Sequence, residues 1–271
     1  MNWKSTLLWV VSFVLMITIA VFQRTTGPTY PQKATISLNG KPVQIKLPTS
    51  ADNDKDAIVS IPDTGRTMRG YYFFRKFNSE EHWTRYQMHH ENDALIAELP
   101  AQPAAGKLEY RIFLKTDSHE FSITDDPIVI RFKNPVPEYI LIPHILFMFL
   151  AMVFSMRTGF EALIQGKRTR RLAGITTLLL FLGGLILGPL VQYFAFGDFW
   201  TGWPIGKDLT DTKTMISFIF WGIAWLKLRK NPGNRFWPVF ASIILLMVYL
   251  IPHSLFGSEF DYSSGQVKTG K

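Results

Sequence analysis

Two histidines stand in nearly identical apolar frames. Leu141-Ile-Pro-His-Ile-Leu-Phe147 and Leu250-Ile-Pro-His-Ser-Leu-Phe256 differ at one position, which gives His144 and His253 the same neighbours. An ionisable residue inside an apolar run is costly and marks a functional candidate. A neutral imidazole is also a ligand for haem iron or a soft metal. Met148, Met152 and Met156 follow His144 at steps of four. Each step drifts about 40° round a helix, so the four share a loose face. Thioethers favour Cu(I). Two chemistries follow: haem b held between His144 and His253, or copper held by His144, Met148, Met152 and His253. The competing reading is structural, with Pro-His closing a helix end and methionine filling space.

A second polar set surrounds residues 188–214 and the tail: Gln192, Asp198, Asp208, Asp211, Lys213 and Glu259. If these converge with the histidines, they form the working groups of a small transporter or enzyme. The alternative is a polar surface that docks one part of the chain on another. Asp208 or Thr210 is placed to cap a following helix, since its oxygen can accept a free backbone N–H. Asp211 and Lys213 are too close in sequence to share a helix face. Lys213 therefore needs another partner, with Glu259 or Asp261 as candidates. His89-His90-Glu91 offers metal-ligand types, but adjacent strand residues point to opposite faces. A solvated turn is the expectation there.

The elements that must position these residues divide sharply. The chain has 271 residues, a formal net charge of +8 and no cysteine. Residues 28–137 hold 14 basic and 14 acidic residues, so all the excess charge lies elsewhere, between apolar runs. That distribution points to lipid topology rather than nucleic acid. The lack of cysteine excludes disulfides, thiolate metal sites and a cysteine nucleophile.

Five apolar segments predict membrane spans: Thr6–Phe22, Tyr139–Met156, Leu172–Phe196, a short run from about Met215 to Leu226, and Phe236–Phe256. A span needs roughly 20 residues, so the fourth must start near Leu209. The first is expected to be a retained anchor rather than a cleaved signal, because Thr18-Ile19-Ala20 is a poor cleavage site. Arg157, Lys167, Arg168, Arg170 and Arg171 fill one loop, and Lys227, Arg229, Lys230 and Arg235 another. The positive-inside rule places both in the cytoplasm. The N-terminus is then cytoplasmic, with residues 28–137 and the C-terminus outside. Gly184-x-x-x-Gly188 puts two small residues on one helix face for close packing.

Residues 34–133 read as strands. Val and Ile alternate around Asn39-Gly40, a strong hairpin signal because both turn residues need φ > 0. Further runs are Ala57–Ile61, Tyr71–Phe77, His82–Met88, Ala94–Leu99, Leu108–Leu114, Phe121–Thr124 and Ile128–Phe132. Short strands with turn residues between them predict an antiparallel sandwich. The runs Tyr71-Tyr-Phe-Phe-Arg, Trp83 with Met88, Ala97-Glu-Leu-Pro100 and Gly106-Lys-Leu-Glu-Tyr110 resemble fibronectin III or immunoglobulin-like domains of bacterial surface proteins. The resemblance implies a fold that binds, spaces or scaffolds. Copper-handling proteins that join such a domain to a membrane bundle are similar in outline, although this chain lacks their His- and Met-rich N-terminal segment.

The expectation is therefore a membrane α-helical bundle of five spans plus an all-β immunoglobulin-like sandwich. Its divisions are 1–27 (anchor), 28–137 (sandwich), 138–256 (four-span bundle) and 257–271 (tail). The function expected is that of an accessory or interaction protein in a bacterial inner membrane, in contact with the lipid bilayer and with other membrane-complex subunits. A redox or metal-handling protein and a small transporter or enzyme are the alternatives.

Overall fold

Alternation gives the longer strands of residues 34–133 one apolar side, and in the structure those sides meet in a single core. This computed structural model describes residues 3–38, 41–116, 119–252 and 257–268. The chain forms two compact units: Thr29–Pro135 with Glu259–Lys268, and Met1–Pro28 with Val136–Ser258.

The first unit opens with a hairpin of β1 (Gln32–Leu38) and β2 (Lys41–Leu47), in the register that the Asn39-Gly40 signal predicts. Pro42 pairs with Ser37 in this two-stranded sheet. Both strands there are edges, so its missing N–H is tolerated. Next come β3 (Ser50–Asp52), β4 (Ala57–Pro62), β5 (Arg69–Lys76), β6 (Thr84–Gln87), β7 (His89–Glu91) and β8 (Ala94–Leu99). The run ends with β9 (Lys107–Lys115), β10 (Glu120–Ser122) and β11 (Ile128–Lys133). One sheet has the order β4-β8-β7; the larger has β3-β11-β9-β5-β6, with β10 beside β9. Pairing is antiparallel except between β3 and β11.

Val59, Ile61, Leu95, Leu99, Ile112 and Ile130 fill the space between the sheets. Tyr110 is fully buried among them and donates to the Pro48 carbonyl at 2.9 Å, which satisfies its hydroxyl. The expected turn at His89–Glu91 is corrected: these residues pair with β8, and the turn follows at Asn92-Asp93, both at positive φ. Two residues of that kind make a tight hairpin turn. The tail also has regular structure. Its β12 (Glu259–Asp261) and β13 (Gln266–Lys268) form a hairpin. Phe260 N–H bonds the Ala105 carbonyl, Tyr262 Oη accepts from Lys107 N–H, and Glu259 pairs with Lys107. Burial pushes the Tyr262 phenol up to about 12.

The second unit contains α1 (Trp3–Thr26), α2 (Glu138–Leu163), α3 (Thr169–Phe196), α4 (Leu209–Lys230) and α5 (Phe236–Leu250). Among the described residues, α1, α2 and α3 are long and apolar enough to cross a membrane, with hydropathy of 2.4, 2.1 and 2.1. Two expectations change. The fifth helix stops at Leu250 rather than Phe256, and its 15 residues reach about 22 Å. Arg157, expected in a loop, lies inside α2 and pairs with Glu161 one turn on, at 2.7 Å. Met152, Met156, Leu180, Trp221, Ala224 and Leu245 form the helical core.

Candidate functional site

His144 sits near the start of α2, facing an irregular stretch of α3. Residues Phe181–Leu187 wind as a π-helix, a feature frequent at functional sites. The Gly183 carbonyl there accepts the N–H of Gly188 and also meets His144 Nδ1 at 2.9 Å. A carbonyl can only accept, so Nδ1 carries the hydrogen, and in the neutral ring Nε2 keeps its lone pair. The wide turn also changes which glycines share a face. A Cβ on Gly183 would fall 2.8 Å from Phe147 Cβ, and one on Gly188 3.8 Å from His144 Cε1. One on Gly184 would fall 2.6 Å from Thr214 Cγ2. Gly183 and Gly188 therefore face α2, while Gly184 lies against α4 and a Cβ there would also fall 3.7 Å from Met148 Sδ of α2, so an i, i+5 pair adds to the expected Gly184–Gly188 face.

Met152 and Met156 are buried in the core, and Met148 packs at its edge. His253 lies outside the described residues. Among those that are described, no group of three or more His, Asp or Glu is suited to hold a metal ion.

The polar set separates into distinct roles. Asp208 caps α4 by accepting from Thr210 N–H at 2.7 Å. Asp211 accepts from Thr201 N–H at 2.8 Å and from its hydroxyl, and Gln192 donates to the same hydroxyl. Lys213 is buried and donates to the Ile251 carbonyl at 2.9 Å, where Gln23 of α1 also donates at 3.2 Å. Glu259 and Asp261, the partners expected for Lys213, instead pair with Lys107 and Lys268. Asp198 is exposed. Lys213, Gln23, Thr214, Ser217 and Tyr249 border a cavity of about 20 Å³, room for roughly one water. These groups fasten the 197–208 loop and the chain after α5 to the helices. The carboxylates are engaged by backbone and hydroxyl donors, an arrangement suited to holding structure.

In the strand unit, Asp63 is buried and accepts from Thr67 N–H, Met68 N–H and the Thr67 hydroxyl, with His90 Nε2 at 2.9 Å. Burial alone would raise its pKa. The hydrogen bonds, His90 foremost, outweigh that and hold the carboxyl below its ordinary value. His89 and Glu91 are exposed on either side, so the triplet splits between the two faces of β7.

The site that sequence reasoning missed is the face of the larger sheet turned away from the core. Tyr71 pairs across with Phe113, and Phe73 lies between Arg111 and Arg85. Tyr71 and Phe113 stack at 5.2 Å, while the Arg85 guanidinium lies 3.8 Å over the Tyr71 ring. Arg75 and Arg111 lie 4.7 and 5.7 Å over Trp83. Arg75 is neutralised by Glu109 at 2.9 Å. The signal was present as Tyr71-x-Phe73-x-Arg75 opposite Arg111-x-Phe113, but it emerges only once the register of β5 and β9 is known. The chain matches no family model, no curated protein and no solved structure.

Proposed function

We propose that the chain is an integral protein of a bacterial cytoplasmic membrane that displays an immunoglobulin-like domain outside the membrane, as an accessory subunit of a larger complex. The observation that carries the reading is the outer surface of α1. Phe13, Val14 and Val21 are 52, 54 and 56% exposed on a 24-residue helix. So much apolar surface is stable in lipid and is a liability in water. Lys167 and Arg168 between α2 and α3, with Arg170 and Arg171 in the first turn of α3, support a cytoplasmic loop, as do Lys227, Arg229 and Lys230 at the end of α4. Two facing sheets of order β4-β8-β7 and β3-β11-β9-β5-β6 around one core support the immunoglobulin-like reading. The roles of Asp208 and Asp211 as fasteners favour an accessory part over an enzyme. Alkaline carbonate extraction tests the membrane claim: the chain should stay in the membrane pellet, and release into the supernatant would refute it.

A redox reading has one observation in its favour. The bond from His144 Nδ1 to the Gly183 carbonyl is the kind of outer contact that orients a ligating histidine. A Soret band in the purified protein supports haem b; a colourless preparation removes it.

A further inference from the structure

We infer that the Arg–aromatic face of β5, β6 and β9 docks an acidic protein surface. The inference rests on the display reading and names the partner class.

Two features fix the chemistry. The first is charge. Glu109 pairs with Arg75, and Glu120 accepts from the Tyr71 hydroxyl and keeps its charge. Among the described residues, neither Arg85 nor Arg111 has a carboxylate partner, and Arg111 Nε is buried without a hydrogen bond. Arg75, Arg85 and Arg111 thus outnumber Glu109 and Glu120, and two guanidinium groups without an ion-pair partner flank Phe73. The complementary surface is negative, and a carboxylate suits the guanidinium fork.

The second feature is the use of the ring faces. A sugar or a nucleobase binds by stacking on an open aromatic face. Here guanidinium groups lie over the Trp83 and Tyr71 rings, and Phe113 stacks on Tyr71. The Tyr71 and Trp83 ring faces are therefore occupied, and the arginines present N–H groups. Trp, Tyr and Arg are the residues that dominate protein–protein hot spots. Mutual stacking holds them in place before a partner arrives, which lowers the entropy lost on docking.

The test uses the full chain in nanodiscs of zwitterionic lipid. A random twelve-residue peptide display library is selected on it and, in parallel, on the Arg85→Glu/Arg111→Glu variant. Enrichment of Asp- and Glu-containing peptides on the parent is expected, with affinity at least tenfold weaker on the variant and falling with salt. Arg85→Gln/Arg111→Gln should fall between the two, and unchanged circular dichroism confirms that both variants fold. Neutral or basic winners, or the same winners on the charge-reversed chain, overturn the inference. So does binding of polygalacturonate as tight as that of the selected peptides, because the face would then read any polyanion. The selection needs no assumption about sidedness, so its failure leaves the membrane reading intact, and failure of carbonate extraction leaves the selection result intact.

Discussion

Lys213 Nζ lies 2.9 Å from the Ile251 carbonyl oxygen, joining α4 to the residue that follows α5. Gln23 of α1 reaches the same oxygen, so three segments meet at one acceptor. Lys213→Met removes the charged donor and keeps the length. We expect it to lower stability by about 1–3 kcal/mol, read as a lower Tm in detergent. Gln23→Leu should cost less, because Lys213 still satisfies the carbonyl. An unchanged Tm for Lys213→Met would contradict the fastening role.

The buried pair Arg157–Glu161 should respond asymmetrically. Arg157→Ala leaves the Glu161 carboxylate in a site where it is only 5% exposed. Loss of one partner of a buried pair costs about 3–5 kcal/mol, whereas replacing both with apolar residues is close to neutral. Arg157→Met/Glu161→Leu should therefore be more stable than Arg157→Ala. The reverse order in thermal melts would contradict the burial of the pair.

Asp63 sets an acid limit on the strand unit. Its carboxyl is held below the ordinary value in the folded chain, so it binds a proton less readily folded than unfolded. Its stabilisation is complete above the unfolded pKa of about 4 and is lost as pH falls through the lower folded value. Asp63→Asn should lower stability at pH 7 and flatten the fall in stability below pH 4. An acid limb as steep as the parent's would show that another group carries it.

Gly183 has no room for a side chain, since a Cβ there would fall 2.8 Å from Phe147 Cβ and 3.1 Å from Met148 Sδ. Gly183→Ala must push α2 and α3 apart, and overpacking of this kind typically costs about 1–3 kcal/mol. Gly222, whose Cβ would meet nothing within 4 Å, should tolerate alanine. Equal melting temperatures for the two variants would contradict the close packing around His144.

Much of this architecture could be read from side-chain pattern. The long apolar runs foretold α1, α2 and α3, and alternation located β4, β8, β9 and β11 within a residue or two, because burial on one side imposes a period of two. Four kinds of feature were hidden. β3 and β7 are three residues long and too short to show a period. The π turn at Phe181–Leu187 has no composition signal, so the close approach of Gly183 to α2 was hidden. The Arg–aromatic face depends on cross-strand register, which places Phe73 between Arg85 and Arg111, residues far apart in sequence. Lys213 looked as if it needed a carboxylate, but a backbone carbonyl satisfied it, a partner that no side-chain pattern can reveal.

The display of the strand unit on the outer side of the membrane is best tested by cysteine labelling, since the chain has no cysteine of its own. Lys55→Cys places a thiol at an exposed position of the strand unit, and Lys230→Cys places one at the exposed end of α4. A membrane-impermeant maleimide applied to intact spheroplasts should label Cys at 55 and spare Cys at 230 until the membrane is opened. Labelling of 230 but not 55, or of both alike in sealed spheroplasts, would contradict the proposed arrangement.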